Sequence, residues 1–183
     1  EAFLAGQCCF GENKVQEILT KQPLLPAAEW HLIGHLQTNK VRQVLPLVSL
    51  IHSVDSFRLL EEIQKQAEKM NLTAAILIQV NISSEESKSG ATPALARQML
   101  LAAEQFPKIR ICGLMGIAEE TDDQSVLYSQ FGLLKTLFTE AKEWNAPHLQ
   151  LHHLSMGMSG DFPVAIANGA TMIRIGSAIF GNR

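Results

Sequence analysis

The chain has 183 residues and 46% hydrophobic content, enough for one domain with a sizeable core. Eighteen acidic and fifteen basic residues leave a formal charge of −3, and the basic residues are scattered, which argues against a dedicated DNA or RNA binder. The longest nearly apolar stretches, 72–80 and 175–180, fall far short of the ~20 residues that cross a bilayer, so a soluble protein is expected. Three cysteines, the adjacent Cys8 and Cys9 and the distant Cys112, make neither a disulfide framework nor a C-x-x-C zinc site and fit a reducing cytoplasm. Two glycosylation sequons, at Asn71 and Asn81, are read as chance matches.

In chain order, Glu1-Ala-Phe-Leu-Ala-Gly6 reads as the tail of a helix closed by a glycine, with a preceding segment expected. Strands are predicted at 7–10, 30–33, 50–53, 74–81, 109–113, 149–154 and 171–175. Between them, 13–20, 41–47, 56–70, 93–105, 124–144 and 162–167 place apolar residues at three- and four-residue steps, as helices lying on a sheet do. In the third helix Phe57, Leu60, Ile63 and Ala67 share a stripe, with Glu61, Glu62, Lys65 and Lys69 on the solvent side.

Strands joined by helices run parallel, and Ile76-Leu77-Ile78-Gln79-Val80 is apolar on both faces, as a strand covered on both sides must be. The glycine fingerprints of nucleotide-binding open sheets are missing. The expected fold is therefore a single α/β domain over 1–183, a parallel (β/α)8 TIM-type barrel whose first strand lies outside this chain and which is incomplete at its N-terminus, since 183 residues is below the usual ~250.

The working face of such a barrel is the C-terminal end of its strands, where the loops after the last two strands frequently bind phosphate. Leu154-Ser155-Met156-Gly157-Met158-Ser159-Gly160-Asp161 reads as a strand ending in small residues, with Asp161 or its neighbour opening a helix that has Pro163 in its first turn. Arg174-Ile175-Gly176-Ser177 repeats the arrangement, and the two predict a pair of backbone N–H nests for a phosphate ester. Arg174, within an apolar run, needs an acceptor, either a ligand atom or a carboxylate. Asn13, His31, Gln79 and Asn81 are further polar candidates, with packing for His31 and turn capping for Asn81 as structural alternatives.

Metal catalysis is not expected. His31 and His35 share strand parity, but the His-Glu-x-x-His signature is absent, and His148 and His153 are read as lying outside the barrel. Cys8 and Cys9 have no readable histidine partner and read as packing residues. The loop Glu85-Glu86-Ser-Lys88-Ser-Gly90 reads as solvated surface.

Taken together, Phe10-Gly-Glu-Asn13 with Val15-Gln16-Glu17, Trp30-His-Leu-Ile-Gly34 with Leu36-Gln37 and Asn39-Lys40, Gln79-Val-Asn81, Ser87-Lys-Ser-Gly90, Gly113-Leu-Met115, Ser155-Met-Gly-Met-Ser159 and Arg174-Ile-Gly176 resemble the pyridoxal phosphate homeostasis protein family. The resemblance runs in order along the whole chain. It implies a barrel of PLP fold type III, the alanine racemase N-terminal type, carrying pyridoxal 5′-phosphate (PLP) on a lysine. Its members are cytoplasmic carriers or buffers of the cofactor, serving apo-PLP enzymes without an established turnover. By this resemblance Ser155, Gly176 and Ser177 hold the phosphate, Arg174 faces the pyridine nitrogen, Asn13 lies beside the ring, and His31, Asn81, Met156 and Gly157 line the pocket. The family's Schiff-base lysine belongs to a motif expected upstream of residue 1. No catalytic residue and no metal ligand is assigned, and a monomer is expected, with no nucleic acid or membrane partner. The alternatives are a racemase or decarboxylase of the same fold type, or a cofactor-free phosphate-binding barrel lyase. Racemisation needs a second base, and Tyr128, the single tyrosine, falls within a helix pattern.

Overall fold

The computed structural model describes residues 1–83, 89–144, 146 and 148–181. Seven strands, β1 (Cys9–Glu12), β2 (Glu29–Leu32), β3 (Leu50–Val54), β4 (Ala74–Asn81), β5 (Ile109–Ile117), β6 (Leu149–Met158) and β7 (Met172–Arg174), form one sheet in sequence order. Every neighbouring pair is parallel. The α-helices are α1 (Val15–Lys21), α2 (Val41–Val44), α3 (Phe57–Met70), α4 (Pro93–Leu101), α5 (Gln124–Lys142), α6 (Phe162–Ala167) and α7 (Ser177–Phe180). Residues 45–47 and 103–105, read as ends of helices, tighten into 3-10 turns after α2 and α4.

The sheet is curled. His52 on β3 meets Ser155 on β6 at 3.1 Å, although three inter-strand steps at about 4.8 Å would separate flat strands by about 14 Å. The result is a nearly closed parallel barrel with helices outside.

Local signals explain the element ends. The opening residues close as a Schellman turn, with Gly6 N–H donating to Phe3 O at 3.0 Å and Gln7 N–H to Ala2 O at 3.1 Å. Asn71, in the left-handed conformation, ends α3 in the same way through Leu72 N–H to Ala67 O at 2.9 Å. Thr92 caps α4 by accepting from Leu95 N–H, with Pro93 in the first turn, and Asp123 caps α5 by accepting from Ser125 N–H.

The main core lies between sheet and helices, where Leu60, Ile63 and Ala67 of α3 are fully buried as the predicted stripe requires. Inside the barrel a smaller apolar group, Leu50, Leu77, Cys112 and Met115, fills one side.

Two strands run further than the sequence reading placed them. β5 continues past 113 to Ile117 and β6 past 154 to Met158. Gly157, read into the turn after the strand, lies within β6. Gly113 lies where the register of β5 against β6 shifts, and a Cβ there would stand 1.8 Å from the His153 carbonyl oxygen.

Candidate functional site

Register decides which side chains enter the barrel. Cys9 pairs with Glu29 and Gly11 with His31, so these positions share the inner face, while Phe10 and Trp30 stack on the outer one with ring centroids 5.7 Å apart. His52 and Ser155 are buried, with Ser155 fully enclosed. His153, two residues before Ser155 on β6 with no register shift between them, shares its inner face. This corrects its placement outside the barrel, because the shift between β5 and β6 changes which residues face in.

These groups form one hydrogen-bonded ladder. Arg174 donates from Nη1 to Ser155 Oγ at 2.7 Å and from Nη2 to Gly116 O at 2.9 Å. Ser155 Oγ lies 3.1 Å from His52 Nδ1, His52 Nε2 lies 3.0 Å from His31 Nδ1, and His31 Nε2 lies 3.4 Å from Glu29 Oε1.

A guanidinium can only donate, so Ser155 Oγ accepts from Arg174 and has its own proton to give to His52 Nδ1. Burial first, then the charges of His31 and Arg174, hold His52 well below its ordinary 6.5, so it is neutral. Its remaining proton then sits on Nε2 toward His31, and that of His31 on Nε2 toward Glu29. Burial lowers His31 too, and Glu29 partly offsets it. The ladder thus has a direction, from the cation near the strand C-termini to a carboxylate at the start of β2.

Arg174 is a half-buried cation whose two hydrogen bonds run to neutral acceptors. Burial pushes it down to about 10, and Asp161 is near enough to favour the charged form. At pH 7 it remains charged.

At the mouth, β6 ends at Met158 and the turn Ser159-Gly160-Asp161 follows. Asp161 stands at the start of α6 but its carboxylate accepts from Met158 N–H, tying the turn back to the strand. Ser159 Oγ accepts from Gly176 N–H and Ala178 N–H at 3.4 Å each, bringing the turns after β6 and β7 together. Gly157 takes φ +91°, and a Cβ there would lie 2.6 Å from Ala165 Cβ, so only glycine lets α6 pack this close.

The structure sorts the expected site residues. Arg174, Ser155 and His31 belong to the interior ladder. Gly176 and Ser177 are exposed at the mouth beside Ser159. Ser155, expected in the turn at the phosphate, is inside β6 and holds Arg174, because the strand runs four residues beyond its predicted end. Met156 points into the sheet–helix core, while Gly157 is buried at α6.

Asn13 is exposed just after β1. Asn81 Oδ1 accepts from Ser83 N–H at 3.1 Å and Ser83 Oγ–H at 2.9 Å, the turn-capping arrangement. Gln79 reaches the Ser89 carbonyl at 3.1 Å. Glu85, Glu86 and Lys88 lie outside the described residues.

Two residues escaped the sequence reading. His52 was hidden inside a short strand, and its alternation with Leu50 was its only signal. Ser159 stood in a quoted motif, one turn beyond the serine chosen.

The family model for the alanine racemase N-terminal domain matches residues 1–183, and an alanine racemase of Clostridium difficile shares the fold, with TM-score 0.80 at 13% identity over 96% of this chain and 45% of that one. Fold and mouth together define a parallel barrel of the alanine racemase N-terminal type. A pyridoxal phosphate homeostasis protein of Aquifex aeolicus is 42% identical over 186 residues, covering 100% of this chain and 80% of that protein. PipY of Synechococcus elongatus PCC7942 superposes with TM-score 0.91 at 40% identity in its form without PLP, over 98% of this chain and 85% of that one. Its structure with PLP bound matches at TM-score 0.88. The chain belongs to the pyridoxal phosphate homeostasis protein family.

Proposed function

We propose that the protein binds PLP at the barrel mouth and serves intracellular vitamin B6 homeostasis as a cytoplasmic, monomeric carrier that supplies apo-PLP enzymes without turning over a substrate of its own. The observation that carries this is the half-buried Arg174, hydrogen-bonded only to Ser155 and Gly116 among the described residues, next to converging backbone amides. A cation held by neutral partners beside N–H donors fits a ligand with an anionic head and an acceptor nitrogen. Membership of a family whose relatives carry the homeostasis name supports the same reading. No helix among the described residues is long and apolar enough to cross a membrane.

In this reading Ser159, Gly176 and Ser177 hold the phosphate through hydroxyl and amide donors. Arg174 faces the pyridine nitrogen, and Ser155, anchored by His52, fixes the guanidinium. Asn13 lies beside the ring, while His31 and Gly157 shape the walls behind it and Asn81 the rim. When bound, the cofactor supplies a reactive aldehyde and a ring that can accept electrons. A guanidinium opposite the ring nitrogen keeps a proton off it and so weakens that electron-accepting capacity, which favours holding over catalysis. Tyr128, the chain's single tyrosine, is exposed on α5 in the outer layer.

The test is absorbance of the protein mixed with PLP, before and after borohydride, followed by mixing with an apo-PLP enzyme and by racemase and decarboxylase assays. The expected result is a PLP band that survives dialysis, recovery of the apo-enzyme's activity, and no amino-acid turnover above free PLP. Absence of binding would refute the reading, and turnover above free PLP would replace the carrier with an enzyme.

A further inference from the structure

Gly34 closes one of the sequence motifs, two residues past the end of β2, and its backbone lies against that of Asn13, one residue past the end of β1. A Cβ at Gly34 would stand 2.2 Å from Asn13 O, 2.7 Å from its Cα and 2.8 Å from its carbonyl carbon. Non-bonded carbons keep about 3.5–4.0 Å apart, so the two chains meet as only glycine allows. Just before it, Ile33 N–H donates to Glu12 O at 3.0 Å, which carries the β1–β2 pairing beyond the strand ends.

The topology decides what this contact holds. β1 is an edge strand whose only sheet neighbour among the described residues is β2, whereas β2 is paired on both sides. In the sheet, the turn after β1 is held from the β2 side alone. Asn13 is exposed, so backbone contacts rather than side-chain packing locate it. We infer that Gly34 is a positioning residue for the cofactor: it seats the Asn13 backbone at the mouth and so presents the Asn13 amide to the ring. The inference rests on the PLP reading.

A methyl group at residue 34 has a definite direction of effect. The 2.2 Å contact has to open by about 1 Å to admit it. β2 is fixed by two neighbours and β1 by one, so Asn13 is the side that yields. A turn displaced by that distance carries the amide out of hydrogen-bond reach of the ring, and binding loses a contact that the native backbone holds ready in place. Gly132 on α5 supplies the contrast: the nearest atom to a Cβ there lies 3.9 Å away, so a methyl fits without displacement.

The test measures PLP affinity per folded molecule by fluorescence titration, with circular dichroism of the bound PLP band as the signature of the ring's surroundings. It compares the native sequence, Gly34→Ala, Asn13→Ala, the double variant and Gly132→Ala. The expected result is an altered band and about 3–10-fold weaker binding in Gly34→Ala and in Asn13→Ala, the worth of one hydrogen bond. The double variant loses no more than either single one, and Gly132→Ala behaves as the native sequence. Should Gly34→Ala not fold, amide hydrogen exchange carries the test: PLP slows exchange of the Ile33 N–H in the native sequence and not in Asn13→Ala. Losses that add in the double variant, native affinity in Gly34→Ala or Asn13→Ala, or Ile33 exchange that PLP leaves unchanged or slows equally in Asn13→Ala, would overturn the inference while the PLP reading stands. A native protein that does not bind PLP would overturn both.

Discussion

The outer face of the sheet packs Leu32, Ile76, Ile78, Leu114 and Leu154 against the helices with no exposed area, whereas the inner face divides between a small apolar group around Leu77 and Met115 and a polar ladder from Glu29 to Arg174. The outer layer gains by burial alone, at about 25 cal/mol per Å² of apolar surface removed from water. The inner ladder takes two histidines almost wholly and a guanidinium partly out of water, which costs free energy unless each finds a partner. Stability therefore rests mainly on the outside, and chemistry on the inside. Substitutions on the two faces should separate these roles.

The largest effect is expected outside. Phe131→Ala, at a fully buried site of α5, should cost about 3–5 kcal/mol in urea unfolding and leave PLP affinity per folded molecule unchanged. A loss of affinity in the folded fraction would break the division between layers. Gly157→Ala, at the junction of β6 and α6, forces a Cβ into contact at positive φ and should cost about 1–3 kcal/mol, with weaker PLP binding because Ser159 shifts with the strand end.

Acid sharpens the comparison. His52 faces His31, His153 and Arg174, and its folded value lies well below 6.5. Above 6.5 it is neutral in both states. Below it the unfolded chain takes up a proton that the folded chain refuses, so stability falls with pH by up to about 1.4 kcal/mol per unit for each such histidine. His31, lowered in the same direction, adds to the slope. Unfolding between pH 7.5 and 5 should show this loss, and His52→Gln should remove one share of it. An unchanged slope would mean that His52 does not carry the dependence. The smallest effect belongs to the surface pair of Arg97 and Glu140: Arg97→Met should change stability by less than about 1 kcal/mol.

How far the fold could be read follows from the same division. Periodicity reports burial, so the outer layer was visible: the stripe of α3 and the doubly apolar β4 needed no knowledge of neighbours. Inner positions depend on register and on bulges, which local sequence does not encode. Gly157 looks like a turn glycine but lies within β6, and for that reason Ser155 was read into the mouth and Ser159 passed over. His52 becomes meaningful only when β3 is set beside β2 and curled toward β6. Cys9 had a histidine partner all along, 22 residues away and one strand over. Asn81 carried two readings, and its observed contacts to Ser83 are those of a turn cap.

The central claim, that Arg174 and the two turns after β6 and β7 hold a phosphorylated ring, is tested most directly by comparing affinities for PLP and pyridoxal by equilibrium dialysis in the native sequence, Ser159→Ala and Arg174→Met. The account predicts much tighter binding of PLP than of pyridoxal, a narrower gap in Ser159→Ala, and about 10–100-fold weaker binding of both ligands in Arg174→Met, the worth of one charge-assisted hydrogen bond. Equal affinity for the two ligands in the native sequence, or variants that bind both as it does, would contradict it.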